Sequence, residues 1–179
     1  TQISIRETIF WFFCALALVI EVNVARCLRS FVVHHCFHII IKNRSQIKYF
    51  KNSDLWGYDI NHHLESVFPK RGNFHFVSNS LNDISESFDL ITLSYSIYYI
   101  PDLSELMVSI YRLLKKDGVL FIQAPDIEIN PYYSLMGDQS YVFTKISLTN
   151  VLNHFGFSSE VITHEYFQTA LMFLAKKWF

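Results

Sequence analysis

The chain has 179 residues, a formal net charge of −1 and 51% hydrophobic residues. This length is enough for one domain with a sizeable core. Aromatic residues make up 17% of the chain, which argues against intrinsic disorder. The nearly balanced charge, without a long basic run, argues against a nucleic-acid binder that relies on a strong electrostatic footprint.

The three cysteines of the chain, Cys14, Cys27 and Cys36, all lie near its start. An odd, small number of cysteines without framework spacing argues against a disulfide scaffold. We therefore expect a reducing compartment, which predicts a cytoplasmic protein.

Glycine and proline are distributed unevenly. All five glycines lie at or after Gly57, and all four prolines lie at or after Pro69. A globular segment normally uses these residues for its turns. The chain therefore divides into an unusual front part and an ordinary back part.

The most apolar stretch of the front part is residues 9–20, an unbroken run of twelve apolar residues. A membrane-spanning helix needs about 20 such residues. The run is interrupted by Glu21, and it lacks the basic start and clean cleavage site of a signal peptide. We expect a buried helix that is apolar all round, with a membrane or export role as the alternative.

A cluster of histidine and cysteine follows at residues 34–38, with the sequence His-His-Cys-Phe-His. These are metal-ligand types, but zinc sites usually carry a second pair of ligands further along the chain, and none follows here. We expect no metal site. The flanking apolar residues 31–33 and 39–41 indicate extended structure.

The back part alternates strand and helix patterns. Short apolar runs at residues 55–60, 74–77, 88–94 and 119–124 are typical of parallel strands buried on both faces. Apolar residues with helical spacing between the last two runs predict a helix from about Leu103 to Leu114. Asp102 or Ser104 can cap its start, and Gly118 can provide a left-handed stop.

A second helix is predicted over residues 147–155, ending at Gly156, and two late strands over 159–166 and 169–176 are expected to pair as a hairpin. This alternation predicts an α/β fold with an open sheet. Ligands of such sheets bind beyond the carboxyl ends of the strands. Asp59, Ser94 and Asp126 stand at strand ends and are candidate site residues, with a turn or a helix cap as the alternative for each.

Three ordered segments of the back part resemble the class I S-adenosylmethionine-dependent methyltransferases. They are Phe-Asp-Leu-Ile-Thr-Leu-Ser at residues 88–94, Tyr-Ile-Pro-Asp at 99–102, and Leu-Leu-Lys-Lys-Asp-Gly-Val-Leu-Phe-Ile at 113–122. The resemblance implies that residues 45–179 form a methyltransferase-like domain. Residues 1–44 are then an atypical apolar N-terminal segment. The resemblance implies a Rossmann-like, open, mostly parallel sheet with a C-terminal antiparallel hairpin and an atypical first strand. It also implies S-adenosylmethionine as the cofactor.

The resemblance further implies six cofactor-binding residues, which follow the second, third and fourth strands: Asp59, Ile60, Ser78, Asn79, Ser94 and Tyr95. The carboxylate would accept hydrogen bonds from both ribose hydroxyls, and the isoleucine would lie against the adenine. The pair after the third strand would contact the adenine edge. The pair after the fourth strand would line the methionine end and the methyl-transfer cavity.

The chain departs from the family at the glycine-rich cofactor loop, because residues 38–46 contain no glycine. Three explanations remain open. The protein is a degenerate member that no longer binds cofactor, or it binds through a changed loop in which Asn43 or Ser45 tolerates the turn. Alternatively, residues 1 to about 43 do not belong to the ancestral reading frame, which is the explanation we favour.

No catalytic residue is assigned. Tyr99 and Gln139 stand where many relatives have histidine, and neither side chain is a good base at neutral pH. Asp126, Asp138 and His164 are nearby alternatives, for which a turn, cap or surface role is the more economical interpretation. Methyl transfer from a sulfonium asks mainly for orientation and desolvation, so the family needs no compact catalytic motif.

The predicted function is therefore methyl transfer to a small-molecule or sugar-related acceptor. The alternative is a non-catalytic remnant with the same fold that does not bind cofactor. We expect no nucleic-acid partner and no membrane partner. The apolar N-terminal segment is a candidate surface for homo-oligomer formation, because unpaired strand edges and apolar patches favour association.

Overall fold

The computed structural model describes residues 37–41, 55–58, 74–77, 80–163 and 168–178. The predicted helix at residues 9–20 and most of the histidine cluster lie outside them. No helix in the described parts of the chain is long and apolar enough to cross a membrane.

A seven-stranded sheet forms the centre of the fold, with strand order β3-β2-β1-β4-β5-β7-β6. Two helices, α1 (Leu103–Leu113) and α2 (Lys145–His154), lie in the second half of the chain. The strands are β1 (Phe37–Ile41), β2 (Leu55–Tyr58), β3 (Phe74–Val77), β4 (Phe88–Ser94), β5 (Leu114–Pro125), β6 (Phe157–Ile162) and β7 (Ala170–Lys177). The predicted α/β architecture is confirmed, and so is the antiparallel pairing of the last two strands.

The sheet is mixed rather than mostly parallel, because two of its six strand pairings are parallel and four are antiparallel. β2 pairs with β3 and β4 pairs with β5 in parallel, whereas β7 is antiparallel to both of its neighbours. β1 is antiparallel to β2 and to β4. Five strands therefore share one direction, and β1 and β7 run against them. The atypical character of the first strand is thus a reversal of its direction.

β4 and β5 form the centre of the core. Leu90, Ile91 and Leu93 of β4 are buried on alternating faces of the sheet, and Leu120 to Ile122 of β5 are equally buried. Such burial on both faces is what continuous apolar strands require, because each face must be covered to keep its side chains from water. The register pairs Leu90 with Val119 and Ser94 with Gln123.

Helix α1 begins at the residue that the sequence predicts. The Asp102 carboxylate accepts a hydrogen bond of 2.8 Å from the backbone N–H of Glu105, so Asp102 rather than Ser104 caps the helix. One face of α1 is buried, and it consists of Leu106, Met107, Ser109, Ile110 and Leu113. This face matches the predicted apolar stripe.

Gly118 does not end helix α1, which corrects the sequence prediction. The helix ends at Leu113, β5 begins at the next residue, and Gly118 lies inside β5. Within the described chain, the glycines with positive φ are Gly137 and Gly156. Glycine is needed at 118 for a close approach, since a Cβ atom there would lie 2.8 Å from the Leu114 side chain and 2.9 Å from the Phe88 carbonyl oxygen.

Helix α2 begins with a reciprocal capping box, in which Thr144 and Ser147 each bind the other's backbone N–H. It ends as predicted before Gly156, whose φ of 81° is left-handed. Near this corner the Lys177 ammonium lies 4.7 Å from the centre of the Tyr111 ring. Burial lowers the pKa of Lys177 below its ordinary value.

Arg112 ties the connection between β3 and β4 to helix α1. Its guanidinium donates hydrogen bonds of 2.8 Å to the carbonyl oxygens of Ile84 and of Leu81. A planar guanidinium can satisfy two carbonyl groups at once, which fixes the chain that leads into β4.

Candidate functional site

The carboxyl ends of β4 and β5 meet at one edge of the sheet. Ser94 is the last residue of β4 and pairs in register with Gln123, two residues before the end of β5. Asp126 follows β5 directly. The predicted placement of Ser94 and Asp126 at strand ends is therefore confirmed.

A small polar group occupies this edge. The Ser94 hydroxyl donates a hydrogen bond of 3.3 Å to the Gln123 side-chain oxygen. The Gln123 side-chain nitrogen lies 3.5 Å from the Tyr95 hydroxyl oxygen, which accepts from it. The backbone N–H of Tyr95 donates to the Gln123 carbonyl oxygen at 2.8 Å. Gln123 thus links the two residues that the resemblance predicts at the methionine end.

Gln123 itself was missed by the sequence analysis. It is 3% exposed, in a strand whose neighbouring residues Ile122 and Ala124 are fully buried and apolar. Burying an amide costs free energy unless its polar atoms are hydrogen-bonded. A lone glutamine within an apolar run was therefore the signal that could have identified it.

Tyr95 has a left-handed backbone, with φ of 51°. Among the described residues it is the one non-glycine with positive φ. A bulky L-residue in this conformation costs on the order of 1–2 kcal/mol, so the surroundings must hold it there. Its backbone hydrogen bond to Gln123 does so at the point where β4 ends and the chain turns away.

Asp126 organises the turn after β5. Its carboxylate accepts a hydrogen bond of 2.9 Å from the Glu128 N–H, and its carbonyl oxygen accepts from Ile129 and Asn130. The Asp126 N–H donates to the Thr169 carbonyl oxygen at 3.0 Å. The carboxylate is thus engaged in an Asx turn, which confirms the turn alternative for this residue.

The loop after this turn presents apolar side chains to solvent. It contains the short 3-10 helix Pro131–Leu135, which Asn130 caps through the Tyr132 N–H. Tyr132 is 75% exposed and Leu135 is 77% exposed. Exposed apolar groups at the carboxyl edge of a sheet are a candidate contact surface for a ligand that is partly apolar.

The segments that carry Tyr99 and Gln139 lie side by side. The N–H groups of Ser140 and Tyr141 both donate to the Tyr98 carbonyl oxygen, at 2.8 and 3.1 Å. The Tyr141 hydroxyl donates to the Pro101 carbonyl oxygen at 2.8 Å. The chain after β4 and the chain before α2 are therefore joined beside the candidate site.

Four of the predicted cofactor-binding residues, Asp59, Ile60, Ser78 and Asn79, lie outside the described residues and stay predictions. The strands that precede them are described. Tyr58 at the end of β2 pairs with Val77 at the end of β3, and both strands run in the direction of β4.

β1 runs antiparallel to β4, so β1 begins at the edge of the sheet where β4 ends. Its first residue, Phe37, pairs with Ser94, and its last residue, Ile41, pairs with Leu90 and with Leu55. The four residue steps from Leu90 to Ser94 span about 13 Å at the usual strand rise. Asn43 and Ser45, the residues of the changed-loop alternative, lie outside the described residues, so that alternative stays a prediction.

No group of three or more histidine, cysteine, aspartate or glutamate side chains that could hold a metal ion occurs within the described ranges. The polar side-chain groups of Ser94, Tyr95 and Gln123 are hydroxyl and amide groups. Neutral dipoles of this kind can orient a bound molecule and contact a cation, but they do not supply a base at neutral pH.

Comparison with known proteins gives one family and a set of similar folds. A family model described as a methyltransferase domain matches residues 39–164, more than half of the chain. No curated protein matches the sequence. The YcgJ protein from Bacillus subtilis is similar in structure, with a TM-score of 0.56 at 13% identity, covering 69% of this chain and 82% of that one.

Two further crystal structures are similar. An S-adenosylmethionine-dependent methyltransferase from Clostridium acetobutylicum has a TM-score of 0.55 at 15% identity, covering 69% of this chain and 75% of its own. An S-adenosylmethionine-dependent methyltransferase from Thermotoga maritima has a TM-score of 0.52 at 17% identity, covering 68% of this chain and 72% of its own. At these identities the likeness establishes the Rossmann-like fold.

Proposed function

The chain belongs to the methyltransferase domain family, and from that premise we propose that it transfers a methyl group from S-adenosylmethionine to a small-molecule or sugar-related acceptor. The observation that carries the proposal is the polar group at the ends of β4 and β5, where Ser94, Tyr95 and Gln123 are linked. This is the edge at which open α/β sheets bind their ligands.

The described residues fit the sulfonium end of S-adenosylmethionine. Hydroxyl and amide oxygens carry partial negative charge, which suits a sulfonium cation in a partly buried site. Ser94 is 9% exposed and Gln123 is 3% exposed, so water is largely excluded around them. When bound, the cofactor supplies an activated methyl group, and the protein supplies orientation and desolvation.

The other proposed contacts come from the neighbouring strands. Asp59 would accept hydrogen bonds from the ribose hydroxyls, Ile60 would pack on the adenine, and Ser78 and Asn79 would bind the adenine edge. The acceptor would approach from the loop that exposes Tyr132, which offers an aromatic face to an apolar group or a sugar ring.

Thermal unfolding with and without S-adenosylhomocysteine tests the proposal. At a ligand concentration 100 times the dissociation constant, binding adds about 2.7 kcal/mol to the free energy of unfolding. For a chain of this size, that corresponds to a rise in Tm of roughly 5–11 °C. A cooperative transition whose Tm does not move with ligand overturns the proposal.

The reversed β1 favours a second candidate, a non-catalytic remnant of the fold. β1 runs toward the edge opposite Ser94, so its last residue, Ile41, lies about 13 Å along the sheet from the ends of β4 and β5. A remnant predicts the same cooperative unfolding with no response to S-adenosylhomocysteine. The same titration therefore separates the two candidates.

The cellular setting is part of the proposal. A small-molecule acceptor, no nucleic-acid or membrane partner and a cytoplasmic location agree with the composition and the cysteine pattern. Self-association through the apolar N-terminal segment would appear as a dimer in sedimentation velocity, and a monomer at all concentrations would rule it out.

A further inference from the structure

Gln123 is the centre of the polar group in the sheet. Through its side chain and its carbonyl oxygen it contacts the Ser94 hydroxyl, the Tyr95 hydroxyl and the Tyr95 N–H. An amide has both a donor and an acceptor, so it can bridge two hydroxyl groups. An apolar residue of similar size would fill the same space in β5 without the cost of burying an amide.

Tyr95 is restrained at two places by the same neighbour. The 2.8 Å backbone hydrogen bond holds its left-handed conformation, and the 3.5 Å contact with the amide nitrogen holds its hydroxyl oxygen. Strain and a buried amide, located together at a ligand-binding edge, indicate a functional constraint on the ring.

We propose that Gln123 is a positioning residue, which fixes the Tyr95 phenol so that its oxygen faces the sulfonium of bound S-adenosylmethionine. This inference rests on the proposed function. The site then prefers the charged cofactor over the neutral product S-adenosylhomocysteine, which promotes product release after transfer.

The ratio of the affinities for S-adenosylmethionine and S-adenosylhomocysteine reports on the proposed contact between the Tyr95 oxygen and the sulfonium. The two ligands differ by one methyl group and one positive charge at sulfur, and every other contact is shared. A residue that only stabilises the fold changes both affinities together and leaves their ratio unchanged. A residue that holds an oxygen dipole toward the sulfur changes the ratio.

The experiment measures the dissociation constants of S-adenosylmethionine and S-adenosylhomocysteine by calorimetric titration. The proteins are the wild type, Gln123→Met, Tyr95→Phe and the double variant. We expect each single variant to lower the preference for S-adenosylmethionine by roughly three- to ten-fold. The double variant should lose no more than either single one, because the two residues act through the same oxygen.

Thr92→Val is the matched control, since Thr92 is also a buried polar residue, two positions before Ser94 in β4. It should leave the ratio unchanged. If Gln123→Met does not fold, Tyr95→Phe, which keeps the ring, is sufficient to test the inference. An unchanged ratio of affinities in Tyr95→Phe overturns it. Equal weakening of both ligands in Gln123→Met overturns it as well.

Different results contradict the proposed function and the inference about Gln123. If the wild type binds neither ligand, the proposed function is wrong and this inference falls with it. If the wild type binds both ligands and the ratios do not respond to the variants, the inference alone is wrong.

Discussion

Replacing Gly118 tests the packing where helix α1 passes into β5. In Gly118→Ala, the new Cβ atom lies 2.8 Å from the Leu114 side chain and 2.9 Å from the Phe88 carbonyl oxygen, so one of them must move. Leu114 is 1% exposed and Phe88 is fully buried, which leaves little room for either. Overpacking of this kind costs about 1–3 kcal/mol.

Part of that cost is offset. Because Gly118 does not have positive φ, alanine is conformationally acceptable and reduces the entropy of the unfolded chain, which stabilises by about 0.4–1 kcal/mol. The net expectation is a loss of about 1–2 kcal/mol, or a fall in Tm of roughly 2–8 °C. Urea unfolding followed by circular dichroism measures it.

Substitution by asparagine distinguishes a glycine that is needed for close packing from a glycine that is needed for left-handed backbone. Asparagine tolerates left-handed backbone better than alanine does, but it is larger. At Gly118 we expect Asn to be more destabilising than Ala. At Gly137, whose φ is 75° and where a Cβ would meet nothing within 4 Å, we expect the reverse order. If Gly118→Asn is as stable as wild type, the packing argument is refuted.

Three further substitutions test local contacts by urea unfolding. Asp102→Ala removes the acceptor for the Glu105 N–H and should cost about 1 kcal/mol, whereas Ser104→Ala should cost nearly nothing; equal effects would contradict the assigned cap. Arg112→Met leaves two carbonyl groups without their guanidinium donor and should cost about 1–3 kcal/mol, with faster hydrogen exchange at residues 81–84; unchanged exchange there would contradict the anchoring role. Thr144→Ala breaks the capping box and should cost about 1 kcal/mol, and an unchanged midpoint would show that the cap contributes nothing.

The sequence predicted best where local pattern determines structure. β4 was predicted with its observed bounds, because seven residues of apolar and β-branched character favour only a buried strand. Helix α1 was predicted because its apolar face, its Asp102 cap and its length all agree. The stop at Gly156 also follows from local chemistry, since a left-handed residue ends the helix there.

The features that the sequence does not predict depend on contacts between residues that are distant in sequence. The sequence suggests a helix stop at Gly118, because the local pattern does not reveal that the Phe88 carbonyl oxygen, 30 residues earlier, would lie nearly as close to a Cβ there as the Leu114 side chain. The direction of β1 was not predicted either, since an apolar run looks the same whichever way its strand is inserted. Gln123 acquires its role through a bond to the neighbouring strand, so only the register makes it visible.

The central claim is that the ends of β4 and β5 form the ligand site. Hydrogen exchange with and without saturating S-adenosylhomocysteine tests it most directly, because amide protection reports which backbone segments a ligand stabilises. We predict slower exchange in peptides covering Ser94 to Ile97 and Gln123 to Asn130. We predict no change in β6, which is the outermost strand on one side of the sheet. Protection absent from the first two segments, or confined to β6, would contradict the account.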